Sequence, residues 1–503
     1  MAFPDTNETL REHKIQVCVR RSLTIDFLRG FAIWMMIVLH NFQHLYDVKT
    51  LTDPDYLLTL PVYIILPVIF LAYLGSWAGL FLLISMSANV IAFDRRIQQG
   101  VDITKLRNRQ LMNGFAILVI AFITEMFTTY AGLAGNLYTR RKFEWFNIYR
   151  GLFNWETLNA VGLSIVITSL LLHRLYKDGG DQKVGRNIGV LAVLSFLVIA
   201  LEPVVNYLIR RFIYLWWTYA FDERQYKLNS QTNFFSNNVV ETLFRIPVIA
   251  LNGHLEPLFP FLGTAFVGTI FGIVLSQEVQ RRSYPKYGIL FGLALIGLAL
   301  FMAAFGFDPM NVTLGFRPDS AWYLLGLGGQ VLTLSVFLYF VEYRGNTVGF
   351  KKISRYWRRW GMLALTIYAF QPIDIPLREF IHVVFGLPTN KNHTLNEFQT
   401  LFVTIMVLIY LDIILRLWSR VNFKYSWEWI IVNLFSRKTG IKSERLNIVY
   451  VIDEVEPLDF SAELDDTPVE VTVMGRKVPA WAVGVVLFLL FAAMLCGTNY
   501  LFN

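Results

Sequence analysis

Long apolar runs recur along the chain and are separated by short polar segments. A helix needs about 20 mostly apolar residues to cross the hydrocarbon core of a bilayer. The pattern therefore predicts an all-α polytopic membrane protein with about 11 spanning helices. The predicted spans are 25–45, 76–93, 110–131, 157–173, 188–209, 257–277, 288–306, 321–342, 360–380, 399–418 and 479–500. One more apolar run, 56–74, is interrupted by Pro61 and Pro67 and is predicted to be a re-entrant or paired segment.

The composition supports the same class. The chain has 503 residues, of which 55% are hydrophobic and 16% charged, and its mean hydropathy is +0.47. A soluble protein of this length needs more polar surface, so a multi-pass protein of the cell membrane is expected. The cysteines, Cys18 and Cys496, lie at opposite ends of the sequence and do not form a disulfide framework.

The net charge of +8 is spread over short loops, which favours a role in membrane orientation over nucleic-acid binding. The strongest basic loop is 343–359, and the N-terminal segment 1–22 is also basic. If both lie in the cytoplasm, the other basic loops do so as well, provided that 56–74 adds no complete crossing. Only the loop containing Arg140, Arg141 and Lys142 departs from this rule, since it is predicted to lie outside.

Two further segments are not simple spans. Residues 210–256 are rich in aromatic side chains, which suits either an interfacial cap over a site or an ordinary packed loop. Near the C-terminus, 436–478 is predicted to be an acidic cytoplasmic insert between the bundle of 23–435 and a last helix in 479–503. The stretches "NIVYVIDE" and "VEVTVMG" in this insert alternate as short strands do. We expect a solvated appendage or a docking element, which together with the last helix is suited to homo-oligomer formation or to an assembly partner.

The first predicted span carries four ionisable side chains, Asp26, Arg29, His40 and His44. Eleven helical steps separate Arg29 from His40, so their side chains point within roughly 20° of each other and lie about 16 Å apart. Polar groups at this depth are costly unless they face the interior of the bundle or a wet cavity. In the structural interpretation, Asp26 and Arg29 form an ion pair at the helix end, and each histidine is hydrogen-bonded to a neighbouring residue. The functional interpretation is an anion site at Arg29 and a general base or acyl carrier at the histidine end.

Several motifs resemble one known family. "RSLTIDFLRGFAI" resembles the opening signature of the transmembrane acyltransferase superfamily, and the Arg-x10-His spacing is that of its acyltransferase-3 branch. "GLFLLISMSANVIAFDRR", "HLEPLFPFLGTAFVGTIFG", "WGMLALTIYAFQ" and "YSWEWIIVNLF" resemble, in order, segments of the heparan-α-glucosaminide N-acetyltransferase and YeiB-like branch. The resemblance covers roughly 20–435. There are departures, since Met86 and the pair Tyr425–Ser426 replace residues usual in that branch.

The resemblance implies transfer of an acyl group, usually acetyl, from cytoplasmic acyl-CoA to a glycan, glycolipid or other acceptor on the outer face, with an extracytoplasmic glycan or lipid as the expected partner. It implies no metal. Arg29 would bind CoA phosphates, Asp26 would orient Arg29, and His40 or His44 would do the chemistry. The acetyltransferase branch has Asn at the position of His40 and a later working histidine, so the choice between the two histidines stays open. The residues expected on the acceptor side are His254, Glu256, Gln371 and Asp374.

Two other functional classes fit the same pattern. A transporter of an anionic or amphipathic solute would also have an arginine and histidines on one face of a membrane helix. However, the two related halves with paired broken helices that many transporters show are not evident in this sequence. A non-enzymatic assembly subunit is the third class. Such a function does not explain the aligned arginine and histidines of the first predicted span.

Overall fold

A computed structural model of the chain describes most of the predicted bundle. The described residues are 20–47, 61–75, 78–129, 132–139, 148, 155–209, 246–251, 256–305, 320–439, 447–448, 450–462, 464–467, 470–473 and 476–502. The predictions for 140–142 and His254, and those for 210–245, lie outside these residues.

The described part of the chain is mainly helical, which confirms the all-α class. Its principal helices are α1 Leu23–Leu45, α2 Val62–Gly75, α3 Ala78–Gln98, α4 Ile103–Ile123, α5 Leu133–Tyr138, α6 Thr157–Tyr176, α7 Val184–Ala200, α8 Glu202–Leu208, α9 Leu258–Ser276, α10 Ser283–Ala304, α11 Ser320–Leu338, α12 Thr347–Ile353, α13 Arg355–Met362, α14 Ala364–Ala369, α15 Ile375–Phe385, α16 Glu397–Ser419, α17 Trp427–Thr439 and α18 Ala480–Phe502. The strands are β1 Gln280–Arg281, β2 Leu464–Asp465, β3 Glu470–Val473 and β4 Arg476–Pro479.

Nine helical segments within the described ranges are long and apolar enough to cross a membrane. The pair α7 and α8, bent by 44°, qualifies as a tenth. The chain is therefore a multi-pass membrane protein. Helix α2 has 14 residues and contains Pro67. Its rise of about 21 Å is shorter than the hydrocarbon core of about 30 Å, which is compatible with a re-entrant or paired segment.

The predicted span 360–380 is not one continuous helix. The backbone leaves helical geometry at Leu363, with φ −113°, and again at Phe370, with φ −115°. A 3₁₀ turn, Gln371–Asp374, then leads into α15. The segment 355–385 consequently consists of three short helices and a turn, whose breaks bring polar backbone and side chains into the bundle.

Helix α1 lies in the centre of the packing. It packs along α13 and also contacts α3 and α16, while α10 packs against α11, α3 against α9, and α4 against α6. The crossing of α1 and α13 is close because Gly30 has no side chain. A Cβ atom added at Gly30 would collide with the carbonyl group of Trp357. This contact holds the broken segment 355–385 beside the polar stripe of α1.

The acidic insert does not extend into solvent as an appendage. Its residues 450–462 and 464–467, hereafter the strap, lie against the end of the bundle where α1 begins. Val451, Ile452 and Leu458 are buried there, so of the two expected alternatives these residues form a docked segment and not a solvated appendage. The expected strand in "NIVYVIDE" is wrong, because Tyr450–Glu454 forms a π-helical turn.

Two small pairs of strands occur near the strap. Strand β2, at the end of the strap, pairs in parallel with β1, whereas β3 and β4 form an antiparallel hairpin just before α18. The hairpin confirms the strand expected in "VEVTVMG".

Candidate functional site

The first cluster of buried charges surrounds Asp26, in the first turn of α1. The Arg21 guanidinium donates two hydrogen bonds to the Asp26 carboxylate, from Nε and Nη2, each at 2.9 Å. Arg29, one turn further along α1, donates to the same carboxylate through Nη2. Asp26 and Arg29 are only 6% and 9% exposed. The helix-end pair that the sequence allowed is therefore formed, with Arg21 as a second partner.

Two more arginines come to this carboxylate from distant segments. Arg95, at the end of α3, lies close enough to Asp26 and Arg21 to interact with their charges. Arg358 on α13 interacts with the same two groups and is itself 3% exposed. Four guanidinium groups thus converge near one carboxylate. We call this set the basic cluster: Arg21, Asp26, Arg29, Arg95 and Arg358.

A buried glutamate fixes the helix on which the basic cluster is built. The carboxylate of Glu342 accepts hydrogen bonds from the Ser22 hydroxyl at 2.7 Å and the Thr24 hydroxyl at 2.6 Å. It also accepts one from the Thr24 backbone N–H at 3.0 Å, and Ser22 Oγ accepts from Ile25 N. The first turn of a helix leaves N–H groups without helical partners, and these contacts satisfy two of them. The start of α1 is consequently held in place against the π-helical turn Tyr339–Tyr343, which follows α11.

The two histidines lie at the opposite end of α1. Their ring centroids are 6.2 Å apart and the rings cross at 82°. The side chain of Gln371 lies beside the His40 ring. His40 Nδ1 is buried, and no hydrogen-bond partner for it is found within the described ranges. A buried imidazole nitrogen with no protein partner is suited to accept a proton or an acyl group from a bound ligand.

An ion pair on the broken segment completes the surroundings of the histidines. Arg378 Nε donates to Asp374 Oδ2 at 2.8 Å, and Arg378 Nη2 donates to Asn41 Oδ1 at 2.9 Å. Arg378 and Asp374 are each 2% exposed. Arg378 also lies close enough to interact electrostatically with both imidazoles. We call this set the histidine cluster: His40, Asn41, His44, Gln371, Asp374 and Arg378.

A loop packs against the same end of α1. The backbone N–H of His393 donates to the His44 carbonyl at 3.0 Å, and the His393 ring contacts the Tyr46 carbonyl at 3.1 Å. His393 also lies near the His44 ring. The loop thus fixes the last turn of α1 and adds a third imidazole to this end of the bundle.

Glu256 lies in a separate polar group. Its Oε1 accepts a hydrogen bond from the Thr157 hydroxyl at 2.7 Å. Burial raises its pKa to about 8, although the Thr157 hydrogen bond acts in the opposite direction. Tyr368 lies within electrostatic range of Glu256 and of Glu125 and Glu156, and its hydroxyl donates to Glu156 at 3.4 Å. Tyr368 is three residues before Gln371, so the broken segment contributes to both polar groups.

The motif "YSWEWIIVNLF" has a structural role. Glu428 accepts hydrogen bonds from the backbone N–H groups of Leu365 at 2.8 Å and Thr366 at 3.2 Å, and from the Thr366 hydroxyl. It therefore caps the start of α14, as Glu342 caps α1.

The predicted site residues thus fall into three groups. Asp26 and Arg29 meet in the basic cluster, and His40, His44, Gln371 and Asp374 meet in the histidine cluster. Glu256 lies in a different polar group, and His254 is outside the described residues. The sequence analysis missed Asn41, Arg358 and Arg378. The only local signal for Arg378 was its spacing of four residues from Asp374, which is ordinary for a helical ion pair.

The chain matches no family model and no curated protein sequence. The resemblance to the transmembrane acyltransferase superfamily therefore stays a prediction. Among the described residues, no group of three or more His, Cys, Asp or Glu side chains is arranged to hold a metal ion.

Proposed function

We propose that this protein is a membrane-embedded acyltransferase. It takes an acyl group, acetyl by resemblance, from cytoplasmic acyl-CoA and passes it to a hydroxyl or amine of a glycan or lipid on the other face. The observation that carries the proposal is that α1 and the segment 355–385 build both clusters. Arg29 and Arg358 lie at one end of this pair of segments, and His40 and Gln371 lie at the other.

The spacing of the clusters fits a donor with a long arm. The 11 residues from Arg29 to His40 rise about 16 Å along the uninterrupted helix α1. Guanidinium groups bind phosphate in a bidentate manner, which suits the phosphates of CoA at the basic cluster. The pantetheine arm would then place the thioester near the imidazoles.

The chemistry requires one proton acceptor. The acceptor oxygen or nitrogen attacks the thioester carbonyl, the carbon–sulfur bond breaks, and CoA leaves as a thiolate. His40 takes the proton of the acceptor and then passes it to the thiolate. Alternatively, the unprotonated ring nitrogen of His40 attacks the thioester, the carbon–sulfur bond breaks, and CoA leaves with the proton of the other ring nitrogen. The acceptor then attacks the acyl-imidazole, and its proton returns to the imidazole as the acyl–nitrogen bond breaks. Arg378 adds a fixed positive charge near the developing negative charge on the carbonyl oxygen.

The direct test uses purified protein in proteoliposomes with radiolabelled acetyl-CoA on the side of the basic cluster. Glycans and lipids with free hydroxyl or amino groups are supplied on the other side. We expect release of CoA thiol together with label in the acceptor, and loss of both in His40→Ala. A matched control is His173→Ala, since His173 lies in α6, outside both clusters. Equal turnover by all three proteins, or turnover by none, would contradict the proposal.

A second candidate is transport of an anionic or amphipathic solute, which the break in 355–385 favours. Discontinuous helices with buried charges near the membrane midplane are common in the binding sites of secondary transporters. The same proteoliposomes decide between the two functions. Passage of an intact labelled anion without thioester cleavage would favour transport, whereas cleavage coupled to acceptor labelling would favour acyl transfer.

A further inference from the structure

The strap is bonded directly to two members of the basic cluster. The backbone N–H of Arg21 donates to the Glu456 carbonyl at 3.0 Å, and the Leu458 N–H donates to the Arg21 carbonyl at 2.8 Å. Arg358 Nη2 donates to the Ile452 carbonyl at 3.0 Å. Arg21 and Arg358 are also neighbours of the Asp26 carboxylate. The position of the strap is therefore coupled to the arginines around Asp26.

Further contacts hold the strap along its length. Lys351 Nζ donates to the carbonyls of Asp453 at 2.8 Å and Val455 at 3.0 Å. Arg355 forms an ion pair with Asp453 at 2.9 Å. At the far end, Arg281 is the register partner of Asp465 across β1 and β2. The segment therefore follows the bundle surface from α13 past Arg21 to the loop before α10.

The strap is also packed against the bundle by apolar side chains. Val451, Ile452, Val455 and Leu458 are between 2% and 7% exposed. Burial of these aliphatic side chains stabilises the docked contact and opposes the entropic cost of ordering the segment. The docked position is thus a defined state.

The charge of the strap matches that of the ligand proposed for the same place. Its Asp453 carboxylate lies within electrostatic range of Arg358, and its Glu456 carboxylate lies 3.7 Å from Arg20, the neighbour of Arg21 in the chain. In this docked state Arg29 is 9% exposed and Arg358 is 3% exposed. The strap carbonyls of Val451 and Ile452 occupy the Arg358 guanidinium, so the phosphates of a ligand cannot contact this group while the strap is docked.

We infer that the strap is a built-in lid over the basic cluster, and that a polyphosphate ligand binds there only after the strap is released. Release would free the Arg358 guanidinium and the Arg21 backbone N–H from strap carbonyls and would remove the Asp453 carboxylate from the neighbourhood of Arg358. The inference rests on the proposed function for the identity of the ligand as acyl-CoA, and on the contacts above for the lid itself. Strap docking and ligand binding are then mutually exclusive, so each weakens the other by the same factor.

The test locks the strap with a reversible disulfide. Arg281→Cys and Asp465→Cys are combined in a chain whose Cys18 and Cys496 are replaced by serine. Binding of acetyl-CoA and, separately, of inorganic pyrophosphate is measured on the full-length protein, oxidised and reduced. We expect the oxidised form to bind both probes about tenfold or more weakly than the reduced form, which corresponds to about 1.4 kcal/mol.

A second variant changes the strap in the opposite direction. Leu458→Ala should loosen the strap, increase hydrogen exchange in 450–462 and tighten binding of both probes. Leu172→Ala truncates another buried leucine, in α6 and outside the strap, and serves as the matched control. We expect the control to leave exchange in the strap and binding of both probes unchanged.

The outcomes separate the lid from the proposed function. If pyrophosphate binding responds to the lock but acetyl-CoA does not bind, the lid stands and the acyl-donor proposal fails. If both probes bind equally well to the oxidised, reduced and Leu458→Ala proteins, the lid inference is wrong. If neither probe binds to any of these proteins, the lid inference is also wrong.

Discussion

The imidazole rings of His40 and His44 lie in an edge-to-face arrangement at the end of α1, with centroids 6.2 Å apart. This distance leaves the two rings close enough to contact one small group, although they differ in their surroundings. His40 lies beside Gln371 and has a buried Nδ1 with no hydrogen-bond partner in the described part of the chain. His44 lies nearer to His393. The geometry therefore favours His40 as the group that receives the acceptor proton.

His40→Ala should reduce acyl transfer by about 10²- to 10⁴-fold, which is typical for the loss of a general base. Binding of acetyl-CoA should change little, since the CoA phosphates are expected at the other end of α1. The measurements are CoA release and donor affinity on the same preparation. A smaller loss is expected for His44→Ala. If His44→Ala is the more damaging change, His44 is the working residue, as the Asn-bearing branch of the resembling family suggests.

Arg29→Lys should weaken acetyl-CoA binding without unfolding the bundle. A lysine keeps the charge but does not reproduce the planar, bidentate contact of a guanidinium with phosphate. Donor affinity is measured with Arg107→Lys as the control, because Arg107 lies on α4 and hydrogen-bonds only its neighbour Asn108 among described contacts. Parent-like affinity of Arg29→Lys would mean that Arg29 serves only as the helix-end partner of Asp26.

Arg378→Met should destabilise the protein by about 3–5 kcal/mol, the usual effect of removing one partner of a buried ion pair. The substitution leaves the Asp374 carboxylate buried without its cation, and it removes the hydrogen bond that Asn41 Oδ1 accepts from Arg378. The protein offers a matched pair, Asp412–Arg416, with the same spacing of four residues on α16, in which Arg416 is largely exposed. Arg416→Met should therefore cost little.

The free energy of unfolding in detergent checks this expectation. Replacing both members, with Asp374→Asn and Arg378→Met, should recover part of the loss because no uncompensated charge then remains buried. Equal stability of Arg378→Met and Arg416→Met would show that Arg378 contributes no buried pairing energy.

Glu256→Gln should stabilise the protein more at pH 8 than at pH 5. The ordinary pKa of Glu256 is 4.5, and burial raises it to about 8 in the folded chain. Between these values the folded chain holds more protons than the unfolded chain, so the parent loses stability as pH rises through this window. Glutamine remains neutral throughout and avoids this loss. Thermal unfolding of both proteins at several pH values tests the sign, and a gain that is independent of pH would contradict it.

Cysteine labelling tests the predicted orientation. Val348→Cys lies in the basic segment 343–359 and should resist an impermeant reagent added from outside intact cells. Lys391→Cys lies in the loop beside the histidine cluster and should be labelled. The reversed pattern would place the basic cluster outside and would remove its access to cytoplasmic acyl-CoA.

The sequence by itself determined the class of this protein and the contents of α1. Apolar runs of about 20 residues have one stable solution in a bilayer, namely helices with internally satisfied backbone groups. The 3.6-residue repeat likewise places Arg29 and His40 on one stripe of an unbroken helix. These are local properties, so the order of the residues is sufficient to predict them.

Only the tertiary structure decided what surrounds that stripe. The Arg378 guanidinium reaches Asn41 across 337 positions of the chain, and Glu342 caps α1 across 318 to 320 positions. Such partners are chosen by the packing of whole helices, because a buried charge must find whichever opposite charge or hydrogen-bonding group the fold brings near.

For the strap, too, the sequence predicts the composition, whereas the tertiary structure decides the position. The acidic composition of residues 450–467 is visible in the sequence, but it is compatible with both a solvated appendage and a docked segment. Docking depends on cations contributed by separate segments, among them Arg20, Lys351 and Arg355. Their convergence at one end of the bundle follows from the direction and packing of the helices, which a linear pattern of charges does not contain.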